Sequence, residues 1–288
     1  MHLPNTQSTV SKGPSGSRSP FPVDASDLAI EAERIRTVYA KRKLHNVDRV
    51  YSRSVPYHRL AVEERRQVMA ELLRSLGITT MAQLNVLEVG CGNGAILRQM
   101  LDYGAEPACL YGVDLLLEAL REAKPRSSSF HFVCGNAGQL PFPDSSFGIV
   151  VTFTLFTSVL DRKIREAIAA ELLRVLCPGG RIIWYDFAYN NPKNPDVRGI
   201  PRKEIGSLFP GCRIHSRRIT LAPPLGRLIA RASPRLFRLV SRFKLLCTHY
   251  LCLVEKSESQ GDKPNLPAVP QRQNGTVCAL ESVRSYLL

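Results

Sequence analysis

Hydrophobic and polar positions follow two periods along the chain, and these periods predict short strands separated by helices. Near the start, the segments 27–45 and 60–76 carry apolar residues at helical spacing, and Gly77 follows the second as a C-terminal cap. Further along, short apolar runs predict seven strands, at 85–89, 110–114, 130–134, 147–152, 181–186, 213–221 and 248–255. Helical patterns lie between several of them, at 94–103, 116–123 and 162–176. This alternation predicts βαβ units and a parallel sheet covered on both faces.

The composition predicts one main domain with extensions. Residues 1–26 are rich in Ser, Pro, Gly and Asn, and residues 257–288 are mostly polar, so we expect two disordered tails. Between them, we divide the chain into a helical cap region (27–80) and the main domain (81–256). No apolar run is long enough to span a bilayer, and no signal-peptide pattern is present. The eight cysteines form no C-x-x-C pair, which argues against a zinc site and a disulfide framework, so we predict no metal and a cytoplasmic location.

A glycine-rich loop joins the first predicted strand to a helix, in the stretch NVLEVGCGNGAILRQM. Such a loop brings backbone close to a ligand, and the free N–H groups of the following helix favour an anionic group, either a phosphate or an amino-acid carboxylate. Glu88 stands two residues before Gly90. A carboxylate there suits a ligand that carries an ammonium and a sulfonium better than a pyrophosphate. The alternative is that Glu88 only caps the loop or pairs with a neighbouring base.

Two further positions complete a candidate nucleoside pocket. Asp114 ends the second strand, where an acid can accept hydrogen bonds from both ribose hydroxyls of a nucleotide or a nucleoside. Its alternative role is to cap the helix that follows. Asn136 and Ala137 come after the third strand, where an amide side chain and a backbone N–H can bond the edge of adenine.

The chain at this point resembles the class I S-adenosylmethionine-dependent methyltransferases, in the branch that includes quinone-biosynthesis and small-molecule enzymes. The resemblance is carried by Glu88-x-Gly90-x-Gly92-x-Gly94, by Asp114, and by the stretches GNAGQLPFPDSSFGIVV and ELLRVLCPGGRIIWYDF. It implies a Rossmann-like, doubly wound α/β fold with a seven-stranded, mostly parallel sheet and an antiparallel last strand. It also implies S-adenosyl-L-methionine as cofactor, bound through Glu88, Gly90, Cys91, Gly92, Asn93, Gly94, Asp114, Leu115, Asn136, Ala137, Thr154 and Leu155. Many relatives have Asp at the position of Asn136, but the amide can still bond adenine.

Methyl transfer needs a general base only when the acceptor must lose a proton, as a hydroxyl does. Asp186, at the end of the fifth strand, is one candidate catalytic residue, and its alternative role is to organise the proline-rich loop that follows. His249 is a second candidate, although its place within a predicted strand favours a structural role. We predict methyl transfer to oxygen or carbon of a small or lipid-linked metabolite. A nicotinamide-dependent oxidoreductase and a catalytically inactive cofactor-binding module are the alternatives.

The net charge of +14 is concentrated before the last strand. No Asp or Glu occurs between Ile205 and Val254, and Arg227, Arg231, Arg235, Arg238 and Arg242 follow one another at steps of four, four, three and four. On a helical insertion these arginines form one basic stripe, which Pro234 must break or kink. The preferred interpretation is a lid with solvated arginines. The alternatives are peripheral membrane contact through 225–246 and, with little aromatic support, contact with nucleic acid.

Overall fold

The sheet confirms the predicted fold class. The computed structural model describes residues 23–44, 55–192 and 194–256. Its strands form one seven-stranded sheet in the order β3-β2-β1-β4-β5-β7-β6, and β7 runs antiparallel to both of its neighbours. The strands are β1 (Val86–Val89), β2 (Leu110–Asp114), β3 (His131–Cys134), β4 (Phe147–Phe153), β5 (Leu176–Phe187), β6 (Arg213–Leu221) and β7 (Cys247–Glu255).

Helices cover both faces of this sheet. They are α1 (Ala25–Leu44), α2 (Pro56–Ser75), α3 (Ala95–Gln99), α4 (Leu117–Ala123), α5 (Arg162–Val175), α6 (Arg202–Leu208), α7 (Pro223–Ala232) and α8 (Pro234–Val240). The predicted break in the basic insertion is confirmed, because Ser233 caps the start of α8 and Pro234 is its first residue. None of the described helices is both long and apolar enough to cross a bilayer.

Three local predictions differ from the structure. The helix predicted over 94–103 is an α-helix only to Gln99 and continues as a 3₁₀ turn that Gly104 ends in the left-handed region, at φ 85°. β5 begins at Leu176 instead of 181, because Leu176 already pairs with Phe147, and the register shifts before Arg181 pairs with Ile149. Helix α6 was not predicted. The predicted tails lie largely outside the described residues, although α1 already begins at Ala25.

The core has two halves, one on each face of the sheet. Leu87 and Val89 of β1 point into the half that α5 covers, and α5 contributes buried residues such as Ile164, Ile168 and Leu172 at helical spacing. Val86 points into the other half, beneath α2 and α3. Because β1 has β2 on one side and β4 on the other, the strand order reverses there, and parallel sheets bind ligands beyond such a point.

Candidate active site

A cavity of about 310 Å³ lies beyond the carboxyl ends of the first four strands, where the strand order reverses. Its walls come from the loops that follow β1, β2, β3 and β4, and from one side of α1. The volume lies at the lower end of the range typical of small-molecule sites. Of the predicted cofactor residues, those that line this cavity are Gly90, Gly92, Asp114, Leu115, Asn136, Ala137, Thr154 and Leu155.

The glycine loop lets a ligand approach the backbone closely, but it leaves few backbone N–H groups free to donate to that ligand. Gly90, Gly92 and Gly94 all have positive φ angles, at 76°, 51° and 72°, which side chains rarely adopt. A Cβ atom at Gly92 would meet no protein atom within 4 Å, so this glycine faces open space. The N–H groups of Gly90 and Gly92 donate to the Val113 carbonyl and to Asp114, respectively. The expected row of free N–H groups is therefore largely committed within the protein.

Two predicted loop residues hold the loop together instead of facing the cavity. The Cys91 N–H donates to the Val113 carbonyl at 3.0 Å, and the thiol is buried in the core half beneath α2 and α3, where burial raises its pKa well above the usual value. Asn93 accepts the Ala95 N–H at 3.2 Å, at the start of α3. The small apolar thiol and the short amide thus serve the turn itself.

Asp114 caps the start of the following helix, which is the alternative considered from the sequence, and it also lines the cavity. Its Oδ2 accepts the Gly92 N–H at 2.7 Å, and its Oδ1 accepts the Leu116 N–H at 2.8 Å, just before α4 begins. Burial raises the pKa of this carboxyl, while the N–H groups of Leu116, Gly92 and Leu115 act in the opposite direction. A carboxylate accepts about four hydrogen bonds, so Asp114 keeps acceptor capacity for a ligand.

Asn136 and Ala137 form the cavity wall beyond β3. Asn136 Oδ1 accepts the Gly138 N–H at 2.9 Å, which closes a tight Asx turn. A carbonyl oxygen has two lone pairs, so this bond leaves acceptor capacity for a ligand. The side chain is therefore held in place before any ligand arrives.

Thr154 and Leu155 follow β4 and are held by Asp186. Thr154 adopts φ 54°, a strained value for a threonine, and donates its N–H to the Tyr185 carbonyl at 2.7 Å. Asp186 Oδ2 accepts the N–H of Phe156 at 3.0 Å and of Thr157 at 3.4 Å, and Oδ1 accepts the Thr157 hydroxyl at 2.5 Å. Burial raises the pKa of Asp186 to about 7. This geometry favours an organising role, but for the loop after β4 instead of the proline-rich loop after β5.

His249 is enclosed in β7 and does not line the cavity. Its ring stacks on Tyr185 with 4.7 Å between centroids, lies 4.1 Å from Phe187, and is bonded through Nδ1 to the Thr248 hydroxyl. Burial, assisted by the charge of Arg65, lowers its pKa to about 3. A histidine with so low a pKa is a weak proton acceptor at neutral pH, so the geometry favours its structural alternative.

Glu88 lies on the other side of β1 from the cavity. It is 1% exposed, and burial raises its pKa well above the usual value. The Leu97 N–H of α3 stabilises the carboxylate, in keeping with a loop cap, yet Oε2 accepts no hydrogen bond from any described residue. A buried orphaned oxygen is costly, and a cationic group that reached it would remove that cost.

Two elements of the site carry no motif in the sequence. The first is α1, whose Leu28, Glu31 and Tyr39 line the cavity; Glu31 accepts the Leu160 N–H at 2.7 Å and pairs with Arg34 at 2.8 Å. The second is Arg65 of α2, whose guanidinium lies 5.0 Å from the Phe153 ring centroid and 5.1 Å from that of Tyr185. Amphipathic periodicity could predict both helices but not which of their polar residues reach the sheet edge.

The segment that builds most of this cavity has known relatives. Residues 86–180 match the family model described as a methyltransferase domain. This part of the chain is therefore similar to methyltransferase domains. Two curated relatives are similar over the same part: the demethylmenaquinone methyltransferase of Paenarthrobacter aurescens, 33% identical over 105 residues, and the tRNA N(3)-cytidine methyltransferase of Gallus gallus, 29% identical over 115 residues. These matches cover 36% and 37% of this chain, and only 39% and 31% of the relatives.

A solved structure extends the likeness beyond the methyltransferase domain to most of the chain. The 1,6-didemethyltoxoflavin-N1-methyltransferase of Burkholderia thailandensis, with bound S-adenosylhomocysteine, is 16% identical, with a TM-score of 0.54. The alignment covers 82% of this chain and 92% of that one. At this identity the likeness establishes the fold, which is that of the class I S-adenosylmethionine-dependent methyltransferases.

Proposed function

We propose that this protein transfers a methyl group from S-adenosyl-L-methionine to oxygen or carbon of a small or lipid-linked metabolite. The observation that carries the proposal is the cavity where strand order reverses, with Gly92, Asp114, Asn136 and Leu155 on its walls. A methyltransferase domain over 86–180 supports the same conclusion.

The residues present fit the proposed cofactor. Asp114 keeps acceptor capacity for ribose hydroxyls, and Asn136 keeps a lone pair for adenine. The open space at Gly92 admits the ligand where any other residue would intrude. Glu88 does not line the cavity, but its orphaned Oε2 is suited to the amino-acid ammonium if that group extends past the end of β1. A pyrophosphate would find a buried acid here and few free N–H donors, which argues against a nicotinamide cofactor.

S-adenosylmethionine, when bound, supplies an electrophilic methyl group on a sulfonium, and the protein has to hold the acceptor in line with it. Alignment of this kind contributes up to about 7–11 kcal/mol to lowering a barrier. Asp186 fixes the loop that carries Thr154 and Leu155, and α1 closes the cavity above them. The role of these residues is to bind the two substrates, to orient them and to exclude water.

The described residues point to an acceptor that ionises readily. Asp186 is engaged by three donors of the loop after β4 and by the Phe187 N–H, and His249 has a pKa of about 3, so neither is a suitable base. Arg65 places a cation beside Phe153, which lines the cavity. A cation lowers the pKa of a neighbouring acid. We therefore propose a phenol, an enol or an acidic carbon as the acceptor group.

The cofactor is tested by titration calorimetry of the whole chain. We expect binding of S-adenosylmethionine and S-adenosylhomocysteine, and none of NAD(P)H. Asp114→Ala should weaken binding at least about 100-fold, since it removes two hydrogen bonds to a charged group, each contributing about 1.5–3 kcal/mol. Asp144→Ala, which removes an exposed partner of Arg174 and does not line the cavity, is the matched control and should bind normally. Preferential binding of a dinucleotide would refute the proposal.

The acceptor is tested with donor labelled in the methyl group. The protein is incubated with separate small-molecule, lipid and RNA fractions of a cell extract, and transfer is followed in each. Label in the small-molecule or lipid fraction is the expected result, and Arg65→Gln should reduce it while cofactor affinity stays the same. Label confined to RNA would overturn the acceptor class while leaving methyl transfer standing.

A further inference from the structure

The outward side of the insertion between β6 and β7 exposes an unusual number of large apolar side chains. Leu228 is 70% exposed and Leu245 is 88% exposed. Elsewhere in the described chain, exposed large hydrophobic residues are few and scattered over Ile30, Leu44, Leu101 and Tyr189. We call the following six residues the outer apolar set: Leu228, Leu236, Leu239, Phe243, Leu245 and Leu246.

Packing against the body of the protein does not account for the outer apolar set. Helices α7 and α8 already bury a different set of side chains, including Ala230 and Phe237, against Tyr57 and Leu60 of α2. The Tyr57 hydroxyl donates to the Leu221 carbonyl at 2.8 Å, which fixes α2 to the start of the insertion. Because both helices turn their inner sides to this cluster, the outer apolar set faces away from the protein. The predicted lid accounts for the apolar side chains that pack on α2, but it does not account for the outer apolar set.

The same surface is strongly cationic. Arg227, Arg231, Arg235, Arg242 and Lys244 are all exposed and stand between members of the outer apolar set along the chain. Within the described part of the insertion, the one ion pair joins Arg238 to Glu63 of α2 at 3.7 Å, and both side chains are more than half exposed. Such a pair contributes little, so the surface keeps its positive potential.

We infer that this outward side of residues 227–246 docks on an anionic lipid bilayer. Leucine and phenylalanine side chains between arginines are typical of segments that lie in the membrane interface, with the apolar groups inserted and the cations at the headgroups. Each cation near an anionic surface strengthens binding about fivefold. Single-stranded nucleic acid would require aromatic stacking platforms, and Phe243 is the one exposed ring among the described residues of this surface.

The surface also adjoins the candidate active site through α2. Glu64 accepts the Thr220 N–H at 3.1 Å at the end of β6, and the next residue, Arg65, reaches the aromatic rings at the cavity edge. An acceptor carried in the bilayer would thus be presented on the side where Arg65 lies. This last step rests on the proposed function, whereas binding to a bilayer does not.

Cosedimentation of the full-length protein with vesicles tests the inference. We expect binding to vesicles of phosphatidylcholine with phosphatidylglycerol to be at least tenfold stronger than to phosphatidylcholine alone, and to weaken as salt is added. The triple variant Leu228→Gln, Leu239→Gln, Phe243→Gln should lose at least tenfold in binding. Its control, Leu44→Gln with Leu101→Gln, also replaces exposed apolar residues and should bind as the parent protein does.

A second pair of variants separates a local surface from net charge. Arg231→Glu with Arg235→Glu should lose at least tenfold in vesicle binding, whereas Arg213→Glu with Arg217→Glu, the same change of charge on exposed residues of β6, should lose little. Equal losses in the two pairs would overturn the inference, as would binding of a single-stranded homopolymer RNA without binding of vesicles. S-adenosylmethionine calorimetry on each variant checks the fold. Absent vesicle binding with intact cofactor binding would refute this inference alone, and the reverse result would refute the proposed function alone.

Discussion

The variant Asp186→Asn tests whether the Asp186 carboxyl organises a loop or acts as a catalytic base. An asparagine can reproduce the observed contacts: its oxygen accepts the N–H groups of Phe156 and Thr157, and its NH₂ group donates to the Thr157 hydroxyl. The variant should therefore fold, keep the loop after β4 in place, and bind cofactor normally. If Asp186 acted as a base, the same substitution would abolish methyl transfer.

The size of the expected change in the free energy of unfolding follows from the pKa of Asp186. Burial raises the pKa of Asp186 from its usual 3.8 to about 7, so the folded protein binds more protons than the unfolded chain over this interval. Stability from this group is fully present below about pH 4 and is lost as pH rises through about 7, a total of about 4 kcal/mol. Between about pH 5 and about pH 8, the loss is about 3 kcal/mol. Asparagine does not titrate, so the variant should not show this loss of stability.

The assay is urea unfolding of parent and variant at about pH 5 and about pH 8. The variant should gain about 3 kcal/mol relative to the parent at the higher pH. Asp161→Asn is the matched control, because Asp161 is an exposed helix cap, where asparagine serves equally well. If the stability difference between the parent and Asp186→Asn is the same at both pH values, the reasoning is refuted. If the variant binds cofactor normally but loses most of its methyl transfer, Asp186 acts as a catalytic base after all.

Three further outcomes are expected. Gly92→Ala should weaken S-adenosylmethionine binding at least tenfold in calorimetry, because its φ of 51° costs a side chain about 1–2 kcal/mol and the added methyl enters the cavity; unchanged affinity would show that the ligand lies elsewhere. Cofactor binding should release a proton in the pH range over which Glu88 titrates, because burial raises the pKa of Glu88 and an ammonium would lower it again; within a series of pH values the binding enthalpy should then depend on the buffer, and Glu88→Gln should abolish that dependence. His249→Phe should leave the pH profile of methyl transfer unchanged, because the histidine pKa of about 3 lies outside the working range; a shifted profile would return His249 to the mechanism.

The sheet and the edge at which the cavity lies were predictable because both depend on local signals. Buried runs such as Leu110–Asp114 have one favourable environment, and the glycines after Val89 mark the turn by their backbone freedom. Those signals place Asp114 and Asn136 at one edge without any knowledge of tertiary contacts.

What could not be predicted depends on contacts distant in sequence. Asp186 organises a loop about 30 residues earlier, and Arg65 reaches Phe153 only because α2 packs across the sheet. The cavity wall formed by α1 depends on Glu31 meeting the Leu160 N–H. The exposure of the outer apolar set could not be predicted either, because helical spacing indicates two apolar sides but does not indicate which one packs against the protein.

The basic insertion begins and ends at the same place in the sheet. Leu221 pairs with Cys247, and the Ala222 N–H donates to the Leu246 carbonyl at 2.9 Å, so the two ends of the insertion are joined like the base of a hairpin. A short turn could replace everything between them without moving a strand, apart from uncovering Tyr57 and Leu60. We therefore expect the insertion to be a separable module, which could be excised, or grafted onto the corresponding hairpin of another protein of this fold, while the cavity end of the sheet stays as it is.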